Sequence, residues 1–179
     1  MTKIAVFVGS LRAESFNKKL AHALENAAPS GVEFDYVDLN LPLFNQDLEA
    51  EYPAEAQKVK DIVEGADGVL FVTPEYNRSI PGVLKNAIDW ASRPWGSNSF
   101  AGKPVGIVGA SGGPVGTAVA QSDLRHICGF LGTKLMGQPE LYFANSADKF
   151  DVDGTVVGES AEYVKRYIDA LAAWVEQEK

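Results

Sequence analysis

Three stretches of this chain, residues 4–8 (IAVFV), 68–73 (GVLFVT) and 104–110 (PVGIVGA), are apolar without alternation. A strand with one face in water alternates apolar and polar residues, so unbroken runs describe strands covered on both faces. Helical repeats separate them. Residues 17–28 carry Leu20, Ala23, Leu24 and Ala27 on one side and stop at Pro29-Ser30-Gly31, while 53–65 carry Ala56, Val59, Ile62 and Val63. Residues 82–90 open beside Pro81, 115–131 turn Val119, Leu124, Ile127, Cys128 and Leu131 inward, and 160–177 bury Val164, Ile168, Leu171 and Val175. Residues 33–39 alternate and read as the second strand, and 134–143 as the fifth, bent or demoted to an edge by Pro139. Five strands alternating with five helices predict an α/β three-layer sandwich, a parallel sheet with helices on both faces. Such a sheet takes ligands beyond the C-terminal ends of its strands, where strand order reverses. The order 2-1-3-4-5 sets the ends of strands one, three and four side by side.

The 179 residues, 46% of them apolar, support one substantial core, so residues 1–179 are expected to form a single domain. A formal net charge of -8 argues against a general nucleic-acid or anionic-membrane surface, so any phosphate site has to be local. One cysteine, Cys128, forms no internal disulfide, and with two histidines it makes poor material for a metal site. No signal peptide or membrane-length apolar run is found, and a soluble, cytoplasmic protein is expected.

The loops at those three strand ends carry the unusual chemistry. Gly9-Ser10-Leu11-Arg12-Ala13-Glu14-Ser15-Phe16-Asn17 runs from a buried strand into a helix start, where free N–H groups and the helix dipole attract an anion. Ser10, Ser15, Asn17 and Arg12 offer further donors for a phosphate dianion. Glycine and serine serve a plain turn and cap equally well, and Arg12 is the residue a plain turn does not need. Pro74-Glu75-Tyr76-Asn77-Arg78-Ser79-Ile80-Pro81-Gly82 supplies Pro74 and Tyr76 to pack on a ring, with backbone groups near Glu75, Asn77 and Ser111-Gly112-Gly113 for its edges. A flat amphipathic ligand with a phosphate tail fits the set, against the plainer reading of three strand-to-helix turns.

Other signals carry less. Asp38, without a G-x-G-x-x-G upstream, reads as a loop or capping residue, and no G-x-x-x-x-G-K-[ST] occurs. With Gly154 at position six of a calcium loop, Lys149 and Ser160 take positions that need carboxylates, so 151–154 reads as a turn. Trp90, Trp95 and Phe100 are expected to cluster around the 93–99 loop and either pack, roof the pocket or form an interface.

GSLRAESFN at 9–17, PEYNRSIPGVLKNAIDW at 74–90 and ASGG at 110–113 resemble the NADPH-dependent FMN reductase family, a flavodoxin-like group with quinone, chromate and azo-compound reductases. The resemblance implies a flavodoxin-like sheet in the order 2-1-3-4-5. It implies FMN as cofactor, its phosphate among Ser10, Arg12, Ser15, Phe16 and Asn17. Pro74, Glu75, Tyr76 and Asn77 would follow the ribityl chain and ring, with Ser111 and Gly112 or Gly113 at the far edge. No side chain is catalytic in this reading: hydride passes from NADPH or NADH to flavin N5 and on to an acceptor in the same pocket, a ping-pong scheme. A homodimer or homotetramer is implied. The rival from another class is a flavodoxin-type electron carrier that holds FMN without turning over NAD(P)H.

Overall fold

In the computed structural model, which describes residues 1–179, the three apolar runs become the strands β1 (Thr2–Val8), β3 (Gly68–Val72) and β4 (Pro104–Ala110). Around them run α1 (Phe16–Ala27), β2 (Val32–Tyr36), α2 (Ala54–Gly65), α3 (Gly82–Ala91), α4 (Ala118–Phe130), β5 (Lys134–Leu135), β6 (Leu141–Phe143) and α5 (Glu159–Glu178). All pairings are parallel, in the order β2-β1-β3-β4-β5, with β6 also on β4. This is the expected flavodoxin-like order. It puts the reversal between β1 and β3, which pair from Ile4 with Gly68 to Val8 with Val72.

Period-two alternation explains why these strands lack polar residues. Ile4, Val6 and Val8 enter one core layer with Leu20 and Leu24 of α1 and Val164, Ile168, Leu171 and Val175 of α5. Ala5 and Phe7 enter the other with Val59 and Val63 of α2, Leu84 and Ile88 of α3, and Leu124 and Cys128 of α4. Each strand residue thus meets a helix whichever way it points. At Gly106 a Cβ would lie 2.8 Å from Leu171 and from the Tyr167 hydroxyl, so this glycine lets α5 lie against β4. Tyr167 closes the contact by donating to the Ile107 carbonyl at 3.0 Å.

Several sequence expectations need correction. The fifth strand divides: β5 and β6 both pair β4, and Gly137-Gln138-Pro139 between them leaves the ladder because proline has no N–H to donate. β2 ends at Tyr36, although Val37 and Leu39 beyond it remain buried. α4 begins at Ala118 rather than 115, since Gly116 and Thr117 are left-handed (φ 61° and 65°). The later start turns Val119 outward, 38% exposed, and brings Ala120 and Gln121 inside. The three aromatics around the 93–99 loop do not cluster. Phe100 packs on Phe7 and Phe71, Trp90 meets Phe44 and Tyr52 edge-on, and Trp95 stands 80% exposed. No helix is long and apolar enough to cross a membrane.

Candidate functional site

The first loop is fixed at both ends. At its start Gly9 donates to the Val72 carbonyl at 2.9 Å, and a Cβ there would sit 3.1 Å from Pro74 Cδ, so the β1 and β3 loops touch. At its far end Ser15 caps α1, its hydroxyl accepting from Asn17 N at 3.2 Å. Between them the N–H groups of residues 11–16 donate to nothing in the chain. Six free donors at the positive end of a helix are a cradle for a dianion.

Ser10 and Ser15 are buried beneath this cradle and Arg12 is exposed at its rim. The Arg12 guanidinium folds back to donate to the Glu14 carbonyl, with Nε at 2.9 Å, and lies 5.8 Å from the Phe16 ring centroid. Asn17 does something the sequence did not disclose. Its amide both accepts from Ala110 N and donates to Ala110 O, each at 2.9 Å, in a 2% exposed position. Its side chain therefore ties the start of α1 to the end of β4 instead of reaching into the cradle.

In the second loop Pro74 is buried, and residues 76–79 form a two-residue hairpin in which Tyr76 and Ser79 exchange both backbone hydrogen bonds at 3.0 Å. Asn77 and Arg78 at its tip are both left-handed (φ 52° and 64°), the conformation of a type I′ turn. Tyr76 is left 51% exposed, outside the core. Glu75 points the other way. One carboxylate oxygen accepts from Val119 N (3.0 Å) and Ala120 N (3.2 Å) in the first turn of α4, and the other faces Arg78 Nη1 at 2.9 Å.

The third loop owes its shape to a corner that sequence reasoning missed. Ser146 donates from both N and Oγ to the Ser111 carbonyl (3.0 and 2.8 Å), and Asn145, itself left-handed, donates to the Gly113 carbonyl at 3.0 Å. An asparagine beside a serine after an apolar strand was the available signal, since asparagine tolerates that conformation. Ser111 Oγ accepts from Gly116 N at 3.1 Å, leaving Gly112 and Gly113 exposed. Phe16 Cε2 lies 3.7 Å from where a Cβ on Gly112 would be, so the first and third loops also meet.

Of the residues singled out in the sequence, Ser10, Arg12, Ser15 and Phe16 surround the cradle, Tyr76 and Asn77 stand beyond buried Pro74, and Gly112 and Gly113 rim the third loop. Asn17, Glu75 and Ser111 hold those pieces together. The junction is an open shelf flanked by a hollow of about 640 Å³ lined by Ser10, Leu11, Lys18, His22, Tyr36 and Asp38, among others. Asp38 there accepts from Asn40 N at 2.9 Å, a local turn contact. Nucleophilic chemistry has no candidate nearby: Cys128 is fully buried, and burial pushes its thiol up to about 12. A cradle for one phosphate, an exposed aromatic ring and two bare glycines suit FMN, the group a flavodoxin-like sheet of this order carries at its switch point.

Comparison with known proteins agrees. The family model for NADPH-dependent FMN reductase matches residues 2–148. A 2-hydroxy-1,4-benzoquinone reductase of a Burkholderia species is 53% identical over 97% of this chain and 96% of its own, and a quinone reductase of Pseudomonas putida is 44% identical over 96% and 94%. Among solved structures, a flavoenzyme NAD(P)H:(acceptor) oxidoreductase from Paracoccus denitrificans superimposes with a TM-score of 0.95 at 42% identity, covering 99% of both chains. The chain is thus a member of the NADPH-dependent FMN reductase family, a flavodoxin-like oxidoreductase that works with FMN and a nicotinamide reductant.

Proposed function

We propose that this protein is an NAD(P)H-dependent quinone reductase, a single flavodoxin-like domain in which nicotinamide and acceptor use one pocket in turn. The observation that carries it is the cradle of six free N–H groups opening onto a shelf that holds Tyr76, Gly112 and Gly113. FMN supplies the redox chemistry when bound, taking a hydride from the nicotinamide and yielding it to the acceptor.

The chain's own residues bind and orient. Ser10, Arg12, Ser15 and the 11–16 backbone hold the phosphate, Pro74, Tyr76 and Asn77 line the ring and ribityl chain while Glu75 braces them against α4, and Ser111 to Gly113 meet its far edge. Phe16 supports Arg12 and the Gly112 turn. An open, side-chain-poor shelf favours stacking of planar molecules over recognition of one substrate, which suits quinones first and also azo compounds, free flavin and the small oxidant chromate. The names of the Burkholderia and Pseudomonas relatives support quinones. A cytoplasmic homodimer or homotetramer is part of the same proposal.

An absorption spectrum of the purified chain with FMN, followed by NAD(P)H oxidation with a benzoquinone, tests the reading. Flavin bands, turnover and parallel double-reciprocal plots are expected. Bound flavin without NAD(P)H oxidation would make the protein an electron carrier, and converging plots would end the shared-pocket scheme.

A further inference from the structure

We infer that Glu75 is a positioning residue of the FMN site, because its carboxylate, seated on the first turn of α4, joins the β3 and β4 loops into one wall. The inference rests on the FMN reading above.

α4 cannot cap itself. Its N-cap residue, Thr117, is left-handed, fully buried and makes no side-chain capping bond, so Val119 N and Ala120 N turn to Glu75, 44 and 45 residues earlier. The Glu75 side chain is 10% exposed, and a shielded carboxylate at a helix N-terminus gains from both hydrogen bonds and dipole. Tyr76 follows Glu75 directly at the root of the hairpin. With Glu75 turned inward onto α4, Tyr76 is left on the exposed side of the loop. The contact also decides where an anion can go. A carboxylate already fills the N-terminus of α4, while the N–H groups before α1 stay free, so of these two helix starts only the one at α1 is open to a phosphate.

Reach matters more than charge in this arrangement. Aspartate is one methylene too short for contacts of 3.0 and 3.2 Å, whereas the amide oxygen of glutamine accepts the same N–H groups. The other oxygen's partner, Arg78, is 68% exposed and free to turn into water when faced by an amide.

Glu75→Gln, Glu75→Asp and Glu75→Ala are compared with the unsubstituted chain in thermal unfolding of the apoprotein, FMN titration, visible circular dichroism of bound FMN, and quinone kinetics. Glu75→Ala and Glu75→Asp are expected to bind FMN roughly tenfold more weakly, to change the flavin dichroism, and to raise KM for the quinone more than they lower kcat. Glu75→Gln is expected to stay close to the parent. Wild-type FMN affinity and dichroism in the Ala and Asp variants, even with a lower melting point, would reduce Glu75 to a structural cap and overturn the inference. A glutamine variant as weak as the aspartate one would overturn it by assigning the effect to charge. If the alanine variant does not fold, the Asp and Gln comparison decides alone. An unsubstituted chain that takes up no FMN would sink the cofactor reading itself, whereas one that binds while all variants match it sinks only this inference.

Discussion

Asn17 and Arg12 sit five positions apart and do opposite work. Asn17 has spent its amide on Ala110, so truncating it leaves a buried N–H and C=O without partners. Asn17→Ala should cost about 2–4 kcal/mol and lower the apoprotein melting temperature by roughly 5–15 °C, read by calorimetry. Arg12 makes only local contacts at the rim of the cradle. Arg12→Ala should leave the melting point alone and weaken FMN about ten- to a hundredfold in a titration, the worth of a charged hydrogen bond. Unchanged affinity would remove Arg12 from the site. The sequence named both residues as phosphate donors because both are good donors near a helix start. It had no means of seeing that a backbone 93 residues away would claim one of them.

At the scale of elements, the central strands and the helices were readable because burial on two sides leaves unbroken apolar runs and helical spacing marks the faces that cover them, while the strand order came from the family resemblance. α5 is the clearest case, with Val164, Ile168, Leu171 and Val175 all buried as their spacing predicts. What escaped was set by contacts between elements: the split of β5 from β6, the left-handed turn that delays α4, and the corner at Asn145-Ser146 that shapes the third loop. The close approach of α5 to β4 belongs here too. Gly106→Ala would drive a methyl group against Leu171 and Tyr167 in a packed layer. A destabilisation of about 1–3 kcal/mol is expected, with α5 amides losing hydrogen-exchange protection ahead of those in α1. Equal loss everywhere would mean that α5 is not a separate point of weakness.

For the molecule as a whole, burial biases the response to alkali. Cys128 is pushed up to about 12 and Tyr52 to about 12, and burial also raises Tyr36 and Tyr167. Each folded group keeps its proton at a pH where the unfolded chain, with ordinary values near 9 for the thiol and 10 for the phenols, has released it. Their stabilising contribution is complete below about pH 9 and is lost on the way to pH 12. Lys60 opposes them, since burial lowers its value and its folded form binds fewer protons below the ordinary 10.5. Burial raises Tyr142 as well, and hydrogen bonds to Asp35 and Glu176 raise Lys3 and Lys179, so the raised groups outnumber Lys60 and predict a urea midpoint that falls between pH 9 and 11; a flat profile there would contradict the balance. The Asn17 bridge to Ala110 has a different consequence, in time. The helix that follows the cradle is anchored to a strand end 93 residues later in the chain. A nascent chain halted before residue 110 therefore carries the phosphate loop without its anchor. On the FMN reading above, the loop is expected to reach its binding shape only after β4 is in place, so flavin uptake should follow that step.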